Sequence, residues 1–178
     1  ECRMPDPASR DRVQDRYVTG YQPSLPFVSG HCMGFTRALF DTLGGFDTTT
    51  YLLANAVRIL ADRPDLAAEL SADPAKIAAF VEEVLRHDAP VQGLPRIAVE
   101  DVTLAGVTIP RGSLVLALVG SANRDERVFA NPDRFEMRRA EHGISFGFGI
   151  HACIGAALVR MEARLALEAL LAGGRSFS

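Results

Sequence analysis

The sequence has little cysteine, no tryptophan and no excess of basic residues. Its three cysteines, Cys2, Cys32 and Cys153, form no Cys-x-x-Cys pair. This spacing excludes a disulfide scaffold and a four-cysteine zinc site, and it favours a reducing, cytoplasmic location. Lysine and arginine together number 19 against 22 aspartates and glutamates, which gives a net charge of −3. A nucleic-acid partner would instead be expected to leave a basic excess.

Long hydrophobic runs are also missing. The apolar run 112–123 is much shorter than the roughly 20 residues that a helix needs to cross a bilayer. The uncharged run 17–36 is interrupted by Pro23 and Pro26. We therefore expect no membrane partner. With 48% hydrophobic and 23% charged residues, the composition is that of a globular protein and excludes a wholly disordered or fibrous chain.

The chain divides into an irregular lead-in at residues 1–33, one domain at residues 34–172 and a short tail at residues 173–178. Apolar residues spaced by three or four predict helices, and β-rich runs between glycine turns predict strands. The predicted helices are 34–61, 64–70, 74–87 and 154–171, and the predicted strands are 97–99, 102–104, 107–109 and 114–119. The predicted core stripe of the last helix is Ile154, Leu158, Met161 and Leu165. The predicted fold class is mainly α with a small β-sheet part.

The first predicted helix contains a weak turn at its centre. Gly44 and Gly45 each cost about 1 kcal/mol inside a helix. The three threonines at 48–50 can bond back to carbonyl oxygens of the preceding turn. Taken alone, this pattern is more typical of a kinked core helix than of a functional site.

A glycine-rich loop leads to Cys153 just before the last predicted helix. The run 146–155 reads FGFGIHACIG. Gly147 and Gly149 allow the main chain to approach a flat ligand closely. The free amides and the positive end of a helix dipole favour a thiolate at this position. For a cysteine considered in isolation, a buried and inert thiol is the alternative.

This run resembles the haem-binding loop of the cytochrome P-450 haem-thiolate monooxygenases, Phe-x-x-Gly-x-(Arg or His)-x-Cys-x-Gly. Phe146, Gly149, His151, Cys153 and Gly155 match all five fixed positions. The resemblance implies that Cys153 is the axial ligand of the iron of haem b, iron protoporphyrin IX. It also implies that Phe146 packs beside the cysteine and that His151 donates to a haem propionate. The implied cofactor-binding residues are Arg96, Phe146, Gly147, His151, Cys153 and Gly155.

Other segments also resemble parts of the same family. The run 44–48 looks like the Ala/Gly-Gly-x-Asp/Glu-Thr segment of the family's long distal helix. The resemblance implies that Thr48 holds dioxygen in an opened turn and that Asp47 relays protons to it. Arg96 matches the family's propionate-binding arginine, with an ordinary charge at a strand edge as the alternative.

Glu83 and Arg86 match the family's Glu-x-x-Arg motif. A helical wheel places both residues away from the apolar stripe of their helix. The sequence alone therefore predicts a solvated ion pair that contributes about 0.5 kcal/mol at most. The run 131–135, NPDRF, stands where the family has a segment that supplies another arginine. The resemblance implies that Arg134 joins Glu83 and Arg86 in a buried triad behind the haem.

The resemblance covers residues 34–172 and implies the carboxy-terminal half of the cytochrome P-450 fold. It implies a monooxygenase that takes electrons from NAD(P)H through a ferredoxin-type donor and its reductase, and that hydroxylates a small hydrophobic substrate. One alternative is a non-catalytic remnant or interaction module. Another is a Cys/His transition-metal or thiol enzyme. We expect the family's amino-terminal half to be absent from this fragment, and the isolated chain to self-associate, to retain haem weakly and to turn over poorly.

Overall fold

The computed structural model describes residues 46–173. The predicted lead-in, the first part of the helix predicted at 34–61, including Gly44 and Gly45, and residues 174–178 of the tail lie outside this range. The helices are α1 (Phe46–Asp62), α2 (Pro64–Ala72), α3 (Ile77–His87), α4 (Val119–Ala122) and α5 (Ala156–Ala172), and the strands are β1 (Leu94–Ile97), β2 (Val102–Leu104), β3 (Val107–Ile109) and β4 (Leu114–Ala117). This architecture is mainly α with a small β part, which confirms the predicted fold class.

Prolines and a glycine mark where several helices begin and end. Pro64 occupies the start of α2, where its missing N–H would have had no helical partner. Pro74 opens a short 3-10 turn, so α3 begins at Ile77 and not at residue 74 as predicted. Gly173 follows the last residue of α5.

Helices α1, α2, α3 and α5 pack around one apolar core. The core side chains are Leu52, Ala56, Ile59 and Leu60 of α1, Leu66 and Leu70 of α2, Ile77, Phe80, Val81, Val84 and Leu85 of α3, and Val159, Ala163, Leu167 and Leu171 of α5. Their spacing of three or four gives each helix one buried face. Phe135 and Phe146, from the long segment between α4 and α5, pack against the same core. This segment is therefore anchored where it approaches the cysteine.

The buried face of α5 is not the predicted one. Met161 and Leu165 are 48% and 49% exposed, and Ile154, which precedes the helix, is also exposed. The buried stripe lies on the opposite side of the helix. Because α5 is rich in alanine and leucine on most of its circumference, hydrophobic periodicity does not select the packed face. Contacts with α1 and α3 make that selection.

The strands form two separate two-stranded antiparallel sheets, β1 with β4 and β2 with β3. Ala105 and Gly106 connect β2 to β3 with φ angles of 47° and 80°, as in the two-residue hairpin turns that glycine favours. β1 begins and ends earlier than the predicted strand at 97–99. The end of the strand predicted at 114–119 is instead the start of α4.

Helices α1 and α5 are the longest in the described part of the chain, at 17 residues each. Among residues 46–173, no helix is long and apolar enough to cross a membrane.

Candidate haem-thiolate site

Glu83 and Arg86 form a buried ion pair on α3. Their side chains are 4% and 1% exposed, and Arg86 Nε and Nη2 donate to the two Glu83 carboxylate oxygens at 2.8 Å each. The solvated pair expected from the helical wheel is therefore wrong. The wheel considers neighbours within one helix, whereas the groups that cover this pair come from residues 123–139.

Main-chain carbonyl groups complete the surroundings of the Arg86 guanidinium. Nη1 donates to the carbonyl oxygens of Asn123 at 2.9 Å and Pro132 at 2.8 Å, and Nη2 donates to that of Arg134 at 3.2 Å. The guanidinium carbon also lies 5.3 Å from the centre of the Phe129 ring. An unpaired buried charge is strongly destabilising. This full set of partners therefore fixes the long segment to α3.

The third charged side chain of this cluster belongs to Arg139, not to Arg134. Arg139 is 6% exposed, and its Nε donates to Glu83 Oε1 at 3.2 Å. Arg134 is exposed and reaches the cluster through its carbonyl oxygen, which also accepts from Arg139 Nη2 at 2.8 Å. The predicted triad with Arg134 is therefore wrong. The turn that begins at Asn131, closed by the Arg134 N–H at 3.0 Å, directs the Arg134 carbonyl rather than its side chain toward Arg86.

Asn123 connects this cluster to the cysteine loop, residues 146–155. Its fully buried side chain donates from Nδ2 to Ser145 Oγ at 2.7 Å and accepts at Oδ1 from the Ile144 N–H at 2.7 Å. Ser145 Oγ donates in turn to a carbonyl oxygen of α3 at 2.5 Å. A Cβ added to Gly143 would lie 2.9 Å from Asn123 Oδ1. The main chain thus passes tightly over α3 immediately before the loop.

Main-chain hydrogen bonds shape the cysteine loop itself. The Gly147 N–H donates to the Ile144 carbonyl at 2.8 Å, and the Cys153 N–H donates to the Phe146 carbonyl at 2.7 Å. Gly147 and Gly149 have φ angles of 74° and 63°, a left-handed conformation that glycine adopts without a steric penalty. The loop therefore folds back on itself and sets Cys153 beside Phe146.

The Cys153 side chain is exposed, three residues before the first residue of α5. The Ala156 N–H donates to the Cys153 carbonyl at 3.3 Å. A Cβ added to Gly155 would lie 3.8 Å from Cys153 Sγ, so the glycine leaves one side of the sulfur uncovered. His151 is also exposed. A buried, inert cysteine is therefore not what the structure contains, and the thiol is accessible to a ligand.

Arg160 of α5 lies against the cysteine loop. Its guanidinium carbon is 4.5 Å from the centre of the Phe146 ring, and its Nη2 donates to Glu82 Oε2 of α3 at 3.1 Å. The hydrogen bond to Glu82 is the main cause that raises the pKa of Arg160, and the negative charge of a Cys153 thiolate raises it further. A permanent positive charge therefore lies near the sulfur.

The remaining predicted site residues lie on α1 and β1. Asp47 and Thr48 are exposed in the first turn of α1. Arg96 pairs with Val115 of β4 in the strand register, and its Nη1 donates to the Pro95 carbonyl at 2.8 Å. The roles of Asp47 and Thr48 toward dioxygen and protons, and of Arg96 toward a propionate, stay predictions.

The residues present fit haem better than a metal ion held by side chains alone. Within residues 46–173, no group of three or more histidine, cysteine, aspartate or glutamate side chains is close enough to hold a metal. A single accessible thiolate is instead suited to iron that already has the four nitrogens of a porphyrin. The left-handed glycines of the loop also allow a flat ligand to approach the main chain.

Arg139, Asn123, Ser145 and Arg160 also contribute to this site, although no sequence motif singles them out. The closeness of Arg139 to the run 131–135 was the one available signal for it. The other three have ordinary residue types for a loop or a helix surface. Contacts between distant parts of the chain give them their importance.

Comparisons with known proteins all point to one family. A family model described as Cytochrome P-450 matches residues 38–173. Cytochrome P-450 109 of Bacillus spizizenii is 45% identical over 130 residues, which cover 72% of this chain and 32% of that protein. Vitamin D(3) 25-hydroxylase of Pseudonocardia autotrophica is 44% identical over 137 residues, 76% of this chain and 34% of that protein.

A solved structure shows the same relationship. Cytochrome P-450 CYP109Q5 from Chondromyces apiculatus matches with a TM-score of 0.68 and 46% identity, over 70% of this chain and 33% of the other. The chain thus spans about a third of the length of the relatives it matches. The match over residues 38–173 confirms the resemblance seen in the cysteine loop: this chain belongs to the cytochrome P-450 family.

Proposed function

We propose that this chain carries the haem-thiolate part of a monooxygenase, in which Cys153 would bind the haem iron. The observation that carries the proposal is the accessible Cys153 side chain, held before the start of α5 by a loop with two left-handed glycines. Family membership supports it. When bound, haem supplies the activation of dioxygen that inserts one oxygen atom into a C–H bond.

The chain's own residues hold the cofactor and move protons. The Cys153 thiolate binds the iron and increases its electron density, while the bond from the Cys153 amide to the Phe146 carbonyl fixes the sulfur's position. His151 and Arg96 bind the haem propionates. Gly147 leaves room for the porphyrin beside the main chain.

We assign proton delivery to α1. The Thr48 hydroxyl holds a proton near the reacting oxygen, and the Asp47 carboxylate passes protons to it. Both side chains are exposed in the first turn of α1, so solvent can supply the protons. Their assignment rests on the family's motif at residues 44–48.

The substrate, the partners and the location form the finer part of the proposal. Electrons come from NAD(P)H through a ferredoxin-type donor and its reductase. The substrate is a small hydrophobic molecule, in keeping with the relative named vitamin D(3) 25-hydroxylase. The small number of cysteines favours a reducing compartment, so the protein is assigned to the cytoplasm.

Titration of the protein with haem, followed by reduction and addition of carbon monoxide, tests the proposal. We expect the unaltered chain, Cys2→Ser and Cys32→Ser to take up haem and to give the Soret shift of a thiolate-bound haem. Cys153→Ser is expected to lose this signature. A signature that persists in Cys153→Ser, or the failure of every form to bind haem, would contradict the proposal.

A further inference from the structure

Arg160 joins three parts of the site that the chain brings from different elements. It lies near the start of α5, it stacks on Phe146 at the beginning of the cysteine loop at 4.5 Å, and it bonds to Glu82 of α3 through Nε and Nη2. The carbonyl oxygen of Phe146 accepts a hydrogen bond from the Cys153 N–H. Arg160 therefore contacts the residue whose main chain fixes the cysteine.

The contacts of Arg160 restrict its position more than a typical surface ion pair would. The Arg160 and Glu82 side chains are 44% and 31% exposed, and both bonding nitrogens of the guanidinium face the same carboxylate. A planar guanidinium can stack on an aromatic ring while it forks onto a carboxylate, which a lysine ammonium cannot do. The stack also shields part of the interaction from water.

Because Arg160 stacks on Phe146, whose carbonyl oxygen accepts from the Cys153 N–H, its charge can act on the sulfur as well as on the ring. A positive charge near a thiolate withdraws electron density from it. When that thiolate binds iron, the same charge favours the form of the cofactor that has gained an electron. This effect depends on the charge, whereas the packing of Phe146 depends on the shape of the guanidinium.

We propose that Arg160 is a positioning residue of the haem-thiolate site: its guanidinium, held by Glu82, fixes Phe146 and hence the Cys153 amide, and its charge makes the haem iron easier to reduce. This inference rests on the proposed haem-thiolate function. It assigns a role to Arg160 beyond the ion pair that links α3 to α5.

Arg160→Gln, Arg160→Lys and the control Arg164→Gln separate the two effects. Arg164 lies on the same helix with similar exposure and pairs with Glu168 at 2.9 Å, without a contact to the loop among those described. The first readout is hydrogen exchange of the Cys153 amide in the haem-free chain. We expect about threefold to tenfold faster exchange in Arg160→Gln and Arg160→Lys, because both lose the stack on Phe146. Arg164→Gln should exchange as the unaltered chain does.

The second readout is the reduction potential of the haem-loaded protein. Arg160→Gln is expected to lower the reduction potential. Arg160→Lys, which keeps the charge, should have a potential close to that of the unaltered protein. Exchange in Arg160→Gln that equals Arg164→Gln would overturn the positioning role. An unchanged potential in Arg160→Gln, or no restoration by lysine, would overturn the charge effect. Failure of every variant to bind haem would contradict the haem-thiolate function, while the exchange result would still decide the positioning role.

Discussion

The cluster around Arg86 and the cysteine loop are adjacent in the fold, yet the polar groups of the cluster are buried and those of the loop are exposed. In the cluster, the Arg86 guanidinium meets the Glu83 carboxylate and three main-chain carbonyl oxygens out of contact with water. In the loop, the side chains of His151 and Cys153 are exposed. The first arrangement uses its polar groups to hold the chain in place, whereas the second leaves its polar groups available to a ligand.

Asn123 explains how one arrangement supports the other. Its carbonyl oxygen accepts a hydrogen bond from Arg86, and its side chain binds Ile144 and Ser145, just before the cysteine loop. A buried network therefore supports the segment that leads into the exposed groups of the loop. Substitutions should therefore lower the stability of the fold by amounts that decrease with distance from Arg86.

Arg86→Ala is expected to have the largest effect. It leaves the buried Glu83 carboxylate without its bidentate partner, which should lower the free energy of unfolding by about 3–5 kcal/mol. Urea denaturation followed by circular dichroism measures this change. The control is Arg58→Ala, which removes an exposed pair with Asp88 and should cost less than about 1 kcal/mol. Equal effects of the two substitutions would show that the cluster does not support the fold.

Arg139→Ala compared with Arg134→Ala tests which arginine completes the cluster. Arg139 donates to Glu83 and to the carbonyl oxygens of Ala130, Asn131 and Arg134, so its loss should destabilise the protein by about 2–3 kcal/mol. Arg134→Ala keeps its carbonyl oxygen in place and should change stability by about 0.5 kcal/mol or less. The same denaturation experiment measures both. A larger loss of stability in Arg134→Ala than in Arg139→Ala would show that the Arg134 side chain completes the cluster.

Asn123→Ala removes the connection between the cluster and the cysteine loop. The Ile144 N–H loses its acceptor and the Ser145 hydroxyl loses a donor, which should cost about 2 kcal/mol. Asn55→Ala, which removes one partly buried bond to the Asp88 carbonyl, should cost about 1 kcal/mol or less. Thermal unfolding of the two variants provides the comparison. A smaller loss for Asn123→Ala than for Asn55→Ala would contradict the connecting role.

Gly147→Ala and Gly149→Ala compare two positions within the loop. Both glycines are left-handed, which costs about 1–2 kcal/mol for a residue with a Cβ. At Gly147 the Cβ would also lie 3.0 Å from the His151 carbonyl oxygen, whereas at Gly149 it would meet nothing within 4 Å. Gly147→Ala should therefore be the more destabilising of the two in thermal unfolding, and it should weaken haem binding more. Equal losses of thermal stability would mean that the close approach to the His151 carbonyl oxygen does not contribute to the effect.

Asp125 should give the smallest effect and the clearest pH dependence. The side-chain hydrogen bond from Arg127, with help from the Arg127 main-chain N–H, lowers the pKa of Asp125 to about 2. Because the folded pKa lies below the ordinary value of 3.8, the stabilisation is present above pH 3.8 and is lost as pH falls through 2. Arg127→Ala should raise the pKa part of the way back, as measured by NMR titration. An unchanged value would contradict the pairing.

The sequence predicted those features that depend on local chemistry. The turn at Ala105 and Gly106, the start of α2 at Pro64 and the family's cysteine-loop motif all follow from residues close together in the chain. The burial of Glu83 and Arg86 could not be predicted in this way, because the groups that cover them are 37 or more residues away. The choice between Arg134 and Arg139, and the packed face of α5, depend on the same kind of long-range contact.

Hydrogen exchange of the unaltered protein with and without haem tests the central comparison most directly, because one experiment follows both regions. Without haem, the amides of Glu136 and Ile144, which donate to Glu83 and Asn123, should exchange only through large unfolding events, and those of residues 147–155 through local opening. Haem should slow exchange in residues 147–155 and leave the two cluster amides nearly unchanged. Protection that rises in the cluster but not in the loop would contradict the assignment of the loop as the haem site and of the cluster as its support.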